Sequence, residues 1–322
     1  MLEKISQPSF PDFSLDDKYL VEEGRIVLTG TQALVRLPMD QHRADKRQGL
    51  NTATMISGYR GSPLGGVDLT LEQSKALLKQ HQITFIPGVN EDLAATMVWG
   101  SQTANLMDGA IYDGVLGMWY GKGPGVDRSG DVFKHANISG IGKNGGVLAL
   151  AGDDPNAKSS TIPSHSEVAL YDALMPTLFP GTVQEILDLG RIGFELSRYS
   201  GLWTGFKIVT NVADAFSTAN VSPDRIQITI PDFNFNGKPW QASQSVALLG
   251  APSLVLEKEI HEGRLEAAKA FAAVNQINRI TVNPADAWIG IIAAGKIYYD
   301  VPEELTILGY QILTWNIMGF AY

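Results

Sequence analysis

Residues 115–119 (VLGMW) and 147–150 (VLAL) are apolar at every position. A strand with one face in water alternates apolar and polar residues, whereas a strand buried on both faces reads as an unbroken dry run. Neither run approaches the roughly 18–20 apolar residues of a membrane span. Both therefore require a sheet covered on each face, which in a single chain means parallel strands joined by helical crossovers.

The rest of the sequence supplies the crossovers. Further strands are expected at 26–28, 53–57, 83–86 and 207–212, with helices at 31–46, 69–80, 91–106 and 183–198. Pro38 should kink or end part of the first helix. Leu71, Ser74, Leu77 and Leu78 share one stripe of the second, and Asn90 is a good N-cap for the third. The fold class that follows is α/β, a mostly parallel sheet with helices on both faces. After about Phe216 the pattern changes. Residues 217–255 are rich in Pro, Asn and Gln and read as an extended connection. An amphipathic helix is expected at 257–278. The apolar run 288–294 should then open a second sheet, followed by a helix near 298–308. The expected organisation is an N-terminal extension (1–25), an α/β domain (26–216), a linker (217–255) and the start of a second α/β unit (256–322) that the remaining residues do not close.

Composition narrows the function. With 25 Lys+Arg against 34 Asp+Glu, the net charge of −9 makes nucleic acid or an anionic membrane surface a poor partner. The 322 residues include no cysteine, so this chain supplies no disulfide, no thiolate nucleophile and no cysteine-ligated iron–sulfur cluster. Residues 1–17 include Glu3, Asp12, Asp16 and Asp17 and lack the basic start and apolar stretch of a signal peptide, so a cytoplasmic location is expected.

Several motifs fail on their own terms. Gly61 and Gly66 have P-loop spacing, but Val67 and Asp68 follow where Lys and Ser/Thr are needed. Gly121, Gly123 and Gly125 place the third glycine of a dinucleotide fingerprint one position early. The five histidines show no HExxH spacing, and no metal site is assigned. Gly152-Asp153-Asp154 follows a strand and could hold magnesium, but such a pair more often caps the next helix or turns the loop.

What remains is a rim of five strand-to-helix connections, where α/β sheets bind ligands. They are 58–66 (GYRGSPLGG), 88–92 (GVNED), 120–128 (YGKGPGVDR), 134–137 (KHAN) and 152–161 (GDDPNAKSST). They carry carboxylates, two arginines, lysines and small residues. For any single one, such as Asn90-Glu91-Asp92, capping of a helix dipole is the plainer alternative.

Four ordered stretches, 57–66 (SGYRGSPLGG), 87–101 (PGVNEDLAATMVWGS), 117–137 (GMWYGKGPGVDRSGDVFKHAN) and 145–161 (GGVLALAGDDPNAKSST), carry a resemblance. The region from about 30 to 209 resembles the N-terminal, pyrimidine-binding domain of the thiamine-diphosphate-dependent 2-oxoacid:ferredoxin oxidoreductases, and is most similar to the bacterial indolepyruvate type. Residues 289–308 are more weakly similar to the opening of a transketolase C-terminal-like domain. The resemblance implies oxidative decarboxylation of a 2-oxoacid, such as indolepyruvate or another aryl pyruvate, to an acyl-CoA.

By the same resemblance Glu91 is the carboxylate that faces N1′ of the cofactor aminopyrimidine, and it is the expected catalytic residue. Asn90, Gly88, Tyr59, Lys134 and His135 are the expected cofactor-binding residues. Tyr59-Arg60-Gly61-Ser62-Pro63 aligns with the family's Tyr-Pro-x-Thr-Pro signature. Ser62 keeps the hydroxyl, and Arg60 replaces a proline and is expected either to hold the substrate carboxylate or to form a surface salt bridge. The family binds diphosphate and magnesium through a Gly-Asp-Gly motif that this sequence lacks. Thiamine diphosphate is thus expected to be shared with a diphosphate-binding domain outside this chain, with magnesium and iron–sulfur clusters elsewhere in the complex. Ferredoxin, coenzyme A, the remaining domains or subunits and a second copy in a dimer are the implied partners. A non-catalytic remnant that binds partners, and a thiamine-dependent decarboxylase or carboligase component without ferredoxin, stand as alternatives.

Overall fold

The computed structural model describes residues 14–309, apart from 159, 224, 282, 284, 286 and 287; expectations for residues 1–13 and 310–322 lie outside the described residues. A short helix α1 (Asp17–Leu20) leads to β1 (Gly24–Thr29), α2 (Gly30–Arg47) and β2 (Thr52–Gly58). Two short helices, α3 (Val67–Gln73) and α4 (Lys75–Gln80), precede β3 (Ile83–Phe85), and α5 (Glu91–Gln102) precedes β4 (Gly114–Lys122). The chain passes directly from β4 into α6 (Gly123–Arg128) and α7 (Gly130–Ser139), then β5 (Gly146–Asp153) and α8 (Glu167–Asp172). β6 (Thr177–Leu178), α9 (Val183–Ser200), β7 (Thr204–Val209), α10 (Thr210–Ala213) and β8 (Phe216–Val221) follow. The later helices are α11 (Ala251–Glu259), α12 (Leu265–Val274), joined to it by a π-helical turn at Ile260–Arg264, and α13 (Lys296–Ile307).

The main sheet has the order β3-β2-β4-β5-β7-β6, and every pairing in it is parallel. The dry runs sit at its centre as β4 and β5. Their side chains alternate between two cores, as strand geometry requires. Leu116, Met118, Tyr120, Leu148 and Leu150 join the core under α2 and α9. Trp119, Val147, Ala149 and Ala151 join the core that contains Ala94 and Val98 of α5 and Phe133 of α7. There Phe133 meets Trp119 edge-on, with ring centroids 4.8 Å apart.

The structure departs from the sequence reading in ways with physical causes. The strand around Ile26 and Leu28 does not enter the main sheet. It pairs antiparallel with β8, Gly24 opposite Val221 through Thr29 opposite Phe216, and its alternating exposure suits an outer ribbon with one wet face. α2 continues through Pro38, because Leu34, Leu37 and Met39 around it are fully buried and their packing outweighs the one lost hydrogen bond. The helix expected at 69–80 breaks at Ser74, whose backbone ends α3 and starts α4. Residues 288–294 form no strand: Trp288 and Ile292 are exposed, and the run has no neighbouring strand to supply a ladder.

Residues after β8 fold back over the sheet's helices. Arg264 is fully buried, and its guanidinium donates to the carbonyls of Asn137 (2.6 Å), Ile138 (3.2 Å) and Ser243 (3.1 Å) and to Glu259 (2.8 Å). The Ser139 hydroxyl donates to the Ser245 carbonyl at 2.7 Å, and the Trp240 indole to the Tyr199 carbonyl at 2.8 Å. Among the described residues no helix is long and apolar enough to cross a membrane.

Candidate functional site

The parallel order brings the C-terminal ends of β3, β2 and β4 side by side. The chain leaves them through tight contacts: the Tyr59 amide donates to the Tyr120 carbonyl (3.0 Å) and the Gly88 amide to the Gly58 carbonyl (2.9 Å). A Cβ at Gly58 would lie 2.3 Å from that Tyr120 oxygen, so only glycine fits where β2 turns out of the sheet. These turns bring Tyr59, Arg60 and Gly88 onto one cleft of about 430 Å³, walled also by Asp68, Phe85 and Pro87. Ser62 is half-buried in the same loop as Arg60.

Glu91 is at the first turn of α5, three residues beyond Gly88, and does not itself line this cleft. Asn90 is extended, and its side-chain oxygen accepts from the Leu93 amide at 2.9 Å, so that oxygen serves as the helix cap. The buried Trp119 indole donates to the Glu91 carbonyl at 2.9 Å and fixes the backbone. The Glu91 side chain is half-buried and runs along the backbone of the β4–α6 connection. A Cβ built at Gly125 would fall 2.5 Å from Glu91 Cγ and 2.8 Å from its Oε1, and one at Gly121 3.5 Å from Cγ. The neighbouring Asp92 pairs with Arg128 at 2.6 Å, and that hydrogen bond holds its carboxyl below the usual range.

Two cations on the rim have no hydrogen-bond or ion-pair partner among the described residues, Arg60 and Lys122. Lys122 ends β4, and its side chain lies along Gly61, whose added Cβ would be 3.0 Å from Lys122 Cδ. Asp68, one of two carboxylates lining the cleft with Glu72, already accepts from the buried Tyr120 hydroxyl at 2.6 Å; burial, then this contact, push that phenol's pKa up.

Lys134 and His135 lie apart from Arg60. Both are exposed on α7, Lys134 paired with Asp172 at 2.5 Å and His135 stacked near Trp99 with centroids 6.2 Å apart. Asp172 borders a second cleft, about 540 Å³, between Gly123-Pro124 and residues 162–166. The aspartates of Gly152-Asp153-Asp154 are structural. Buried Asp153 accepts from the Ser166 amide (2.8 Å) and hydroxyl (2.6 Å) ahead of α8 and faces Lys207 (3.4 Å), while Asp154 accepts from Thr210 (3.2 Å). The sequence assigns no role to Lys122 and shows Gly125 only as part of a failed dinucleotide fingerprint, without the carboxylate it faces. The alternate glycines at 121, 123 and 125 were the available signal.

No family model matches the chain. In sequence it is similar to the indolepyruvate oxidoreductase subunit IorA of Methanothermobacter marburgensis, 24% identical over 298 residues, which are 92% of this chain and 43% of that protein. The same subunit from Methanothermobacter thermautotrophicus is 23% identical over 309 residues, 96% of this chain and 45% of the relative. The one from Archaeoglobus fulgidus is 24% identical over 302 residues. The chain is thus similar in sequence to indolepyruvate oxidoreductase subunits. It spans less than half the length of these curated relatives. Its fold is shared with a 2-oxoglutarate:ferredoxin oxidoreductase from Magnetococcus marinus, solved with 2-oxoglutarate, coenzyme A and succinyl-CoA bound: the TM-score is 0.59 at 13% identity, covering 89% of this chain and 52% of that one.

Proposed function

We propose that this chain is the N-terminal component of a 2-oxoacid:ferredoxin oxidoreductase, with residues 26–216 facing the aminopyrimidine of thiamine diphosphate and an aryl pyruvate such as indolepyruvate as the 2-oxoacid. The observation that carries the reading is the placement of Glu91. Its carboxylate is at the first turn of α5, against a backbone wall that side chains at Gly121 and Gly125 would fill. Two unpartnered cations on the neighbouring rim suit an anionic substrate.

Thiamine diphosphate, when bound, supplies the electron sink for loss of carbon dioxide from a 2-oxoacid. Binding, orientation and proton handling fall to the chain's own residues. Glu91 holds or shares a proton at the ring nitrogen N1′, on a side chain whose backbone is pinned by Asn90 and Trp119. Arg60 pairs with the 2-oxoacid carboxylate, and Ser62, in the same loop, presents a hydroxyl toward the reacting carbon. Gly88 and Tyr59 shape the cleft wall, and Lys134 and His135 border the cofactor's outer side. Iron–sulfur clusters belong to other domains or subunits, since this chain has no cysteine, and magnesium is assigned there too because the chain lacks the Gly-Asp-Gly motif. Exposed Ile86, Val89 and Leu93 beside Glu91 form apolar surface of the kind such a partner, or a second copy, covers.

The test is Glu91→Gln in the reconstituted complex. It keeps size and removes the proton, so turnover should fall by about 10²–10⁴, as for loss of a general acid–base group. Turnover near that of the unaltered complex would remove Glu91 from this role.

A further inference from the structure

Arg191 of α9 stands on the opposite side of the sheet from α5, in the helix layer formed with α2. Its Nε donates to the side-chain oxygen of Gln41 at 2.8 Å. Gln41 is fully buried and fixed in turn, because its amide donates to Asp45 (3.0 Å) and Glu195 (2.8 Å). Arg198 holds both of those carboxylates at 3.0 Å. The Arg191 guanidinium is thus anchored from behind by a buried network. Its two terminal amino groups have no hydrogen-bond partner among the described residues, and the side chain borders a crevice of about 40 Å³.

Four other arginines line the same crevice: Arg36, Arg43, Arg47 and Arg225. Arg36 is saturated by Asp40 and the carbonyls of Lys18 and Val21, and Arg225 forks onto Asp188. Arg43 is taken by Asp40 and the Tyr19 carbonyl. Arg47 makes only long contacts, 3.7 Å to Glu22 and 3.5 Å to the Pro223 carbonyl. Glu22, Asp40 and Asp188 are the carboxylates in the lining, and Asp45 and Glu195 stand behind Arg191 together with Arg198, so six guanidiniums face five carboxylates and a formal charge of +1 remains. A water needs about 10–15 Å³ measured this way, so the crevice has room for about three, close to the size of one tetrahedral oxyanion. Burial also pulls the Arg191 pKa below the usual arginine range, a cost that an anion beside it would offset.

We propose that this crevice binds a phosphate group, free or as a monoester, on the outward edge of Arg191 with Arg47 closing over it. Arginine suits the task because its planar fork matches two phosphate oxygens at once. The inference does not depend on the function proposed for the Glu91 site.

The experiment is thermal unfolding of the full chain at pH 7 and fixed ionic strength, titrated with inorganic phosphate and, separately, with glycerol phosphate against sodium chloride. At about ten times the dissociation constant the midpoint should have risen by roughly 2–4 °C, and beyond that it should climb with the logarithm of the ligand concentration. A larger response to inorganic phosphate identifies a free anion as the ligand, and a larger response to glycerol phosphate an esterified one. Arg191→Gln should abolish the logarithmic rise while Arg60→Ala retains it. Should Arg191→Gln not fold, Arg47→Gln, at a more exposed position, should weaken binding by about 10-fold, the loss of one charge-assisted contact. Neither compound exceeding chloride, a rise linear in concentration, as general exclusion from the surface gives, or an equal rise in Arg191→Gln or Arg47→Gln would each overturn the proposal.

Discussion

Gly125 and Glu91 are in contact across the strand ends: a methyl group on Gly125 would occupy space within 2.5 Å of the Glu91 Cγ. Gly125 lies in α6, a helix of six residues in which its conformation is ordinary, so the glycine is there for space. Gly125→Ala should therefore swing the Glu91 carboxylate away from its wall. Turnover of the reconstituted complex should drop at least about 10-fold, with a stability cost of about 1–3 kcal/mol for overpacking. Gly130→Ala is the control, because nothing lies within 4 Å of its added Cβ. Equal effects from the two substitutions would show that Gly125 has no special relation to Glu91.

Arg60 and Lys122 should behave as substrate-facing cations. A charge-assisted hydrogen bond contributes about 1.5–3 kcal/mol, so Arg60→Ala should raise KM for the 2-oxoacid by about 10-fold or more with a smaller change in kcat. Lys122→Ala should act in the same direction on a different part of the anion. Steady-state kinetics over a range of 2-oxoacid concentrations separates the two constants. An unchanged KM in Arg60→Ala would return that residue to the solvated surface.

The fold was legible where a residue's local preference agreed with its packing. The dry runs around Trp119 and Leu148 demanded a parallel sheet, and Asn90 marked the start of α5 because an Asx side chain is the cheapest partner for a free helix amide. Legibility failed where distant contacts decided. Nothing local to Pro38 reveals that Leu34, Leu37 and Met39 are all buried around it. Trp288 and Ile292 read as a strand because apolarity was the only local signal, but a strand also needs a neighbour. At the candidate site, the rim loops could be seen in the sequence, whereas the contact of Gly125 with Glu91 and the lone position of Lys122 are properties of chain ends meeting in space.

His81 makes stability depend on pH. Its ring nitrogen is 3.1 Å from that of His42, and burial, then the charges of Arg43 and His42, lower its pKa to about 4. Asp40 acts against this and Arg36 with it, while Asp45 and Lys46 act on His42, whose pKa burial also lowers. The unfolded chain binds the His81 proton below about 6.5, whereas the folded chain resists it down to about 4. Between those values the unfolded state carries more protons, so stability is full above pH 6.5 and declines as pH falls toward 4. His81 is partly open to solvent, which limits the decline to on the order of 1–2 kcal/mol. Urea unfolding at pH 5 and pH 7 should show it, and His81→Gln should flatten it. An identical slope in His81→Gln would place the pH dependence elsewhere.

Arg264 ties the segment after β8 to the sheet's helices. Removing it in Arg264→Ala strands three carbonyl oxygens, those of Asn137, Ile138 and Ser243, and leaves the half-buried Glu259 without its guanidinium. Glu259 would keep only Ser243, whose amide and hydroxyl now donate to it at 3.1 and 2.7 Å. Breaking a buried pair from one side costs about 3–5 kcal/mol, so the midpoint of thermal unfolding should fall clearly. The loss should also be local in character. The six-stranded sheet makes none of its ladder bonds through this residue, while Ser243 and Ser245 dock through the same patch of α7. Limited proteolysis should accordingly cut Arg264→Ala first near residues 240–250, before the sheet opens. Arg264→Lys retains the charge but not the fork to several carbonyls and should recover only part of the stability. Unaltered melting and unaltered cleavage in Arg264→Ala would mean that the apolar contacts of α12 alone hold the segment in place.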